Sequence, residues 1–237
     1  MLQKNELNRR EFLVETRKNL VLEAARSVFS EFGIERSNIR EIAKRAGYTP
    51  GALYSYFPNK EAIFVALLDE SIARLVKAVG SAKASSAAAP KVNQDALARL
   101  LVTKSVAWFG FYYHGPKDLE LGLYLFQIQK AQGMGAHVTV SFAAQTLKAL
   151  EPVTKQLEAM GLNGDDASAE TMGIFAFGFG LLFLKQSGGA QLALEQQFRQ
   201  YVDRLCERLG AKPTHVSLSP DPESEFLSRQ QALFSLE

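Results

Sequence analysis

The stretch SNIREIAKRAGYTPGALYSYFPNK, from Ser37 to Lys60, holds two short helical segments divided by a tight turn. Ser37 is a candidate N-cap for a segment from Asn38 to Ala46. Gly47 ends that segment, because glycine takes the left-handed conformation that closes helices. Thr49 and Pro50 open the next segment with a capping hydroxyl and a proline at the position where its missing N–H is harmless. That segment runs to about Tyr56, ahead of Pro58, and Asn59 is placed to cap a further helix. Two short helices joined at this spacing predict a helix-turn-helix.

The residue types inside the stretch point to nucleic acid. Ala43 is small where the two helices must approach, and Ile42, Ala46 and Leu53 form a small core against Phe29 and Phe32. Gly51 and Ala52 let the backbone of the second helix come near base edges in a major groove. Tyr54, Ser55 and Tyr56 offer hydroxyl donors for phosphate oxygens. Lys60 stands in the first turn of the next helix, a poor place for a cation unless an anionic phosphate sits there. Arg40, exposed on the first short helix, has the geometry for a base or phosphate contact.

Outward from this stretch the spacing is helical, with no convincing period-2 strand, and predicts an all-α fold. A helix from about Arg9 to Phe32 places Leu13, Leu20, Val21, Ala24, Val28 and Phe29 on one side and stops at Gly33. The helix after Asn59 carries Phe64, Leu67, Leu68, Ile72, Leu75, Val76 and Val79 as its stripe. An Ala/Ser-rich stretch from Ser81 to Pro90 is the best domain boundary. Further helices are expected near 94–113, 118–131, 136–160, 166–186 and 191–209, the third kinked or divided at Pro152. The expected organisation is a helix-turn-helix domain over 1–60 with 61–80 as connecting helix, a helical effector-binding and dimerisation domain over 81–212, and a tail over 213–237.

Charge agrees with that division. Residues 1–60 hold eleven Lys/Arg against seven acids, a basic quarter in a chain of formal charge +2. Such an excess suits a polyanionic partner for that part alone. Arg9, Arg10 and Arg17 could serve as an N-terminal arm, although plain solvation accounts for them as well. Cys206 is the single cysteine, which excludes an intrachain disulfide and fits a cytoplasmic setting. The apolar run from Met172 to Leu184 is short and holds three glycines, so no membrane segment is expected. His114, His137 and His215 lack metal-ligand spacing, and neither a nucleophile elbow nor a phosphate-binding glycine motif is present. An enzyme is therefore not expected, nor a metal or cofactor.

Phe29, Phe32-Gly33, Ile39, Ile42-Ala43, Ala46-Gly47, Leu53-Tyr54, Tyr56-Phe57, Lys60-Glu61 and Ile63 together resemble the TetR family of transcriptional regulators. The resemblance covers about residues 12–70. It implies base reading by Arg40, Pro50, Gly51 and Ala52, and backbone contacts by Ser37, Tyr54, Ser55, Tyr56 and Lys60, with Thr49 opening the reading helix. It also implies a homodimer on palindromic double-stranded operator DNA, most readily a repressor released by a small-molecule effector, with activation open because the sign depends on operator position. Trp108, Tyr112, His114, Phe126, Gln127, Phe142 and Phe175 are candidates for an apolar or aromatic effector site, with plain core packing as the alternative. Gly173, Phe177, Phe198, Tyr201, Val202 and Leu205 are the candidate dimer contact, with packing inside the subunit as the alternative.

Overall fold

The computed structural model describes residues 2–83, 93–128, 136–188 and 193–212, with the side chains of 2–8, 10 and 125–145 outside the description. The described residues form helices joined by turns: α1 (Leu2–Phe32), α2 (Ile39–Ala46), α3 (Pro50–Tyr54), α4 (Lys60–Ser81), α5 (Gln94–His114), α6 (Pro116–Ile128), α7 (Ala136–Ala159), α8 (Gly164–Gln186) and α9 (Leu194–Arg208). The all-α expectation holds. The expected domain boundary from Ser81 to Pro90 and the tail over 213–237 fall mostly or wholly outside the described residues.

Two hydrophobic clusters organise the chain, and α4 belongs to both. The first gathers Val21, Ala25 and Val28 of α1, Ile42 of α2, Leu53 of α3 and Ile63, Phe64 and Leu67 of α4. The second begins with Leu75 and Val79 at the far end of α4 and continues through Trp108, Leu157, Ile174 and Phe198. Each of these large side chains contributes about 1.5–3 kcal/mol by leaving water. Leu121 and Tyr124 of α6 join the first cluster, Tyr124 meeting Phe64 edge-on at 5.1 Å. The connecting helix and α6 therefore tie the two parts together, and an Arg74–Asp118 ion pair reinforces the tie.

The helix starts show what local chemistry decides. Asn38, Asn59, Asn93 and Asn163 are N-caps whose side-chain oxygens accept from the N–H three residues on. Thr49 does the same at α3, with Pro50 in the first position. Asn38 holds the cap of α2, where the sequence pointed to Ser37; Ser37 turns inward and donates to the Gly33 carbonyl at 2.6 Å. α1 begins at Leu2 instead of near Arg9, for no proline or glycine interrupts its charge-rich first turns. Its buried stripe is Val21, Leu22, Ala24, Ala25, Val28 and Phe29, while Leu13 and Leu20 are exposed. Phe32 is also largely exposed, with the Arg45 guanidinium 5.9 Å from its ring. α7 runs undivided through Pro152.

Among the described residues one helix, α8, is long and apolar enough to cross a membrane by length and composition. It extends past both ends of the apolar run because Asn163 caps an acidic first turn, Asp165 and Asp166. One face, with Thr171, Ile174, Gly178, Leu181 and Leu182, is buried in the second cluster.

Candidate nucleic-acid interface

α3 is anchored from beneath and open above. Leu53 is fully buried among α1, α2 and α4, and the backbone N–H groups of Tyr56 and Phe57 close on the Leu53 carbonyl at 2.9 and 3.0 Å. Thr49 Oγ1 accepts from Ala52 N at 3.2 Å, fixing the first turn. On the other side Pro50, Gly51, Tyr54 and Ser55 are exposed and Ala52 is half-buried. A Cβ added at Gly51 would meet nothing within 4 Å, and its backbone does not require glycine. The bare backbone there serves no internal packing, which leaves room for an external surface to approach.

The turn before α3 is set by Gly47, with φ of 74°, where a side chain would be strained. Its N–H donates to Lys44 O and the Tyr48 N–H to Ala43 O, closing α2. Tyr48 and Tyr56 meet at 6.2 Å, buttressing the far end of α3.

The polar residues divide into those facing outward and those used within the fold. Arg40 and Tyr54 are exposed. Lys44, one turn after Arg40, shares its exposed side of α2; the four-residue spacing was the sequence signal for it. Arg45 is held by Glu31 at 2.6 Å and Ser27 at 3.0 Å, so the third cation of α2 points back to α1. Ser55 Oγ donates to Ala52 O at 2.6 Å. Tyr56 Oη accepts from Arg17 Nη1 at 3.3 Å and keeps its own proton to donate. Of the N-terminal arginines, Arg17 is thereby brought beside the interface.

Ser37 and Lys60 take internal roles. The Ser37 hydroxyl is buried, and Lys60 Nζ donates to the carbonyls of Ile34, Glu35 and Ser37 at 3.0, 3.2 and 3.1 Å. Those three carbonyls use all three ammonium protons. The positive charge in the first turn of α4 is thus balanced by the loop between α1 and α2, which it clamps in place.

In the second part, the expected aromatic effector candidates separate. Trp108 is fully buried, with Phe175 at 5.3 Å, Tyr112 at 5.8 Å and Phe198 at 6.1 Å. Burial and the nearby Asp118 push the Tyr112 hydroxyl well above the usual tyrosine range. His114 turns outward to Glu195 at 2.9 Å. The side chains of Phe126, Gln127 and Phe142 lie outside the described residues.

The expected dimer contact also divides. Phe198, Val202 and Leu205 are 0–2% exposed within their own subunit, which leaves them no area to bury against a second copy. Their side of α9 is drawn onto α5 and α8 by the core. Phe177 and Tyr201 stack at 4.4 Å and remain half-exposed, and Gly173 lies beside the Tyr201 hydroxyl. The outer side of α8 instead exposes Met172, Ala176, Gly180 and Phe183.

Residues 21–67 match the profile of the family described as bacterial regulatory proteins, tetR family. The A-factor receptor protein of Streptomyces griseus is 52% identical over 50 residues, which are 21% of this chain and 18% of that protein. The transcriptional regulator RutR of Escherichia coli is 40% identical over 55 residues, 23% of this chain and 26% of that one. The matched segment thus spans about a fifth to a quarter of these relatives. A tetR-family regulatory protein from Rhodococcus superposes at a TM-score of 0.62 with 19% identity, covering 84% of this chain and 98% of the other. SmeT, the repressor of a Stenotrophomonas maltophilia multidrug efflux pump, superposes at 0.61 with 16% identity, covering 86% and 96%. Residues 21–67 thus carry the helix-turn-helix domain of the tetR family, and most of the chain shares the all-helical fold of solved regulators of that family.

Proposed function

We propose that the protein is a ligand-responsive transcriptional repressor of the cytoplasm that binds palindromic operator DNA as a homodimer. The observation that carries this reading is the exposed, side-chain-poor edge of α3, Pro50 to Ala52, held on a capped and fully packed base. Thr49 fixes that edge, which enters the major groove with Arg40 and Lys44 alongside. Tyr54 and Tyr56 donate their hydroxyls to phosphate, and Ser55 does so when its hydroxyl turns from the Ala52 carbonyl to the DNA. Few hydrogen-bond donors face the bases, so thymine methyls and DNA shape contribute to readout. Ser37 and Lys60 support the interface by holding the loop ahead of α2.

Two such heads require a second copy. The outer side of α8 supports one: Met172 and Phe183 are large exposed apolar groups, and Ala176 and Gly180 between them permit a close helix approach. Half-exposed Gly173, Phe177 and Tyr201 extend this surface. A two-fold dimer matches an operator of two half-sites separated by whole helical turns. The effector is a small apolar or aromatic molecule taken up in the α5–α8 interior beside Trp108, Tyr112 and Phe175. The Trp108 Nε1 and Ser105 Oγ, both buried, have no hydrogen-bond partner among the described residues and would receive an acceptor on such a ligand.

The test is a gel-shift titration with DNA flanking the gene at two salt concentrations, comparing the wild type with Tyr54→Ala and Lys60→Met. Wild-type affinity should be specific and fall steeply with salt. Tyr54→Ala should weaken binding by about 1 kcal/mol, roughly fivefold, at unchanged melting temperature. Lys60→Met should lower the melting temperature as well, since three carbonyls lose their donor. Binding no tighter than to random DNA across a genome-wide selection would overturn the reading.

A further inference from the structure

The outer side of α8 keeps apolar area that its own subunit leaves uncovered. Met172 and Phe183 are 48% and 56% exposed, and Ala176 and Gly180 lie exposed between them. Half-exposed Phe177 and Tyr201, stacked at 4.4 Å, join this surface to α9. On α9, Arg204 and Arg208 follow Tyr201 at the three- and seven-residue spacings of one helix face, so the apolar surface has a basic edge. Arg208 pairs with Glu170 at 3.3 Å, yet its side chain stays 63% exposed. Arg204 is exposed and forms no ion pair among the described residues.

The chain leaves the described residues beside this surface. The Lys212 N–H donates to Asp95 Oδ1 at 2.8 Å, one helical turn past Arg208. Glu170, the partner of Arg208, stands two residues before Met172, so the exit lies close to the start of the apolar row. Residues 213–237 follow, and their sequence has the same order of charge and apolar groups as the surface. Three acids, Asp221, Glu223 and Glu225, come directly before Phe226 and Leu227. Leu233 and Phe234 repeat that apolar pair seven residues on, the spacing that puts all four on one side of a helix. From the exit the surface likewise presents its arginines first and then the row from Met172 to Phe183. At helical rise that row is about 16 Å long and Phe226 to Phe234 about 12 Å. The linker from Pro213 to Pro220 reaches about 27 Å when extended, enough to set the acids beside either arginine.

We propose that residues 221–234 dock on the α8–α9 surface of their own subunit, the acids against Arg204 and Arg208 and the apolar pairs against Met172, Phe177 and Phe183. The short tether selects the chain's own tail as occupant, because a segment on such a linker has an effective concentration of about millimolar order, above that of a free second copy. Docking itself is independent of the repressor reading. Its consequence rests on that reading: the same side of α8 is the contact proposed for the homodimer, so a docked tail competes with the second copy. The tail then sets the concentration at which two reading heads come together.

The experiment attaches a nitroxide to the full chain carrying Ser235→Cys and reads the isotope-labelled methyl resonance of Met172. Cys206 is buried and should stay unlabelled. The expected result is at least a tenfold loss of Met172 signal, recovered when the nitroxide is reduced. Glu223→Arg/Glu225→Arg should restore the signal, as should Arg204→Glu/Arg208→Glu, and the four substitutions combined should remove it again. A Met172 signal untouched by the nitroxide, or lost equally in every charge variant, would overturn the proposal. Equal loss with nitroxide and isotope on different molecules of a mixed sample would also overturn it, since the tail then lies on a second copy. Sedimentation separates the two readings: Phe226→Ser/Leu227→Ser/Leu233→Ser/Phe234→Ser should tighten self-association at least tenfold. Docking seen by the nitroxide with unchanged self-association leaves the tail site standing and removes the α8 homodimer contact.

Discussion

The helix-turn-helix and the α5–α9 bundle are both helical and both well packed, yet they are held by different means. From Asn38 to Lys60 each helix boundary carries its own short-range device: Asn38, Thr49 and Asn59 cap, Gly47 terminates, and Pro50 starts. In the bundle, the decisive contacts join residues far apart. Gln94 Nε2 donates to the carbonyls of Met160 and Leu209, both at 2.9 Å. Lys104 Nζ ties α5 to the end of α4 through the carbonyls of Val79, Gly80 and Ala82. Gly178 of α8 admits the rings of Trp108 and Phe198. The first region is specified locally and the second by complementarity between distant helices, so substitutions in the two should fail in different ways.

The sharpest test is at Gly178. A Cβ there would stand 2.6 Å from a Trp108 ring carbon and 2.7 Å from one of Phe198. Gly178→Val should therefore destabilise by about 1–3 kcal/mol through overpacking, read as a lowered denaturation midpoint. Gly178→Ser should not rescue it, since any Cβ meets the same rings. Near-wild-type stability for Gly178→Val would show that α8 is free to move away from α5 and break the contrast.

A smaller effect is expected in the locally specified region. Asn38→Ala removes the acceptor for the Glu41 N–H and should lose about 1 kcal/mol. Here the conservative variant should rescue: Asn38→Asp retains a capping oxygen and wild-type stability. Failure of Asp to substitute would mean that Asn38 acts through tertiary contacts, making the two regions alike.

The smallest effect concerns Cys206, buried where α9 meets α5. Burial pushes its thiol up to about 12 from an ordinary value of 9.0. The native state keeps this proton while the unfolded chain releases it, so the contribution is present below about pH 9 and is lost as pH rises toward 12. Denaturation midpoints over that window should decline less in Cys206→Ala than in the wild type. At pH 8 the native thiol should resist a disulfide reagent until the protein unfolds. Rapid native labelling would show that α9 opens locally, so that bundle packing is weaker than its burial implies.

The reading of individual residues follows the same division. Gly47, Thr49, Pro50 and Asn59 were legible because their roles depend on neighbours within four positions. Ser37 was not: its sequence context fits an N-cap as well as Asn38 does, and only the approach of the Gly33 carbonyl drew its hydroxyl inward. Lys60 looked like an anion ligand because its three carbonyl partners lie 23 to 26 residues earlier. On α9 the stripe of Phe198, Val202 and Leu205 was visible as amphipathic, but periodicity does not say whether an apolar face meets its own subunit or another.

The sequence by itself therefore determined the all-α class, the two-helix reading unit and most of its caps, because hydrophobic period and capping chemistry act over one or two turns. Tertiary structure decided which apolar faces were covered and which cations were already engaged. It also brought the ends of α1 and α8, more than 150 residues apart in the chain, to one aromatic cleft. Burial and electrostatic environment are properties of three-dimensional neighbours, and a one-dimensional pattern holds only the residues that could provide them.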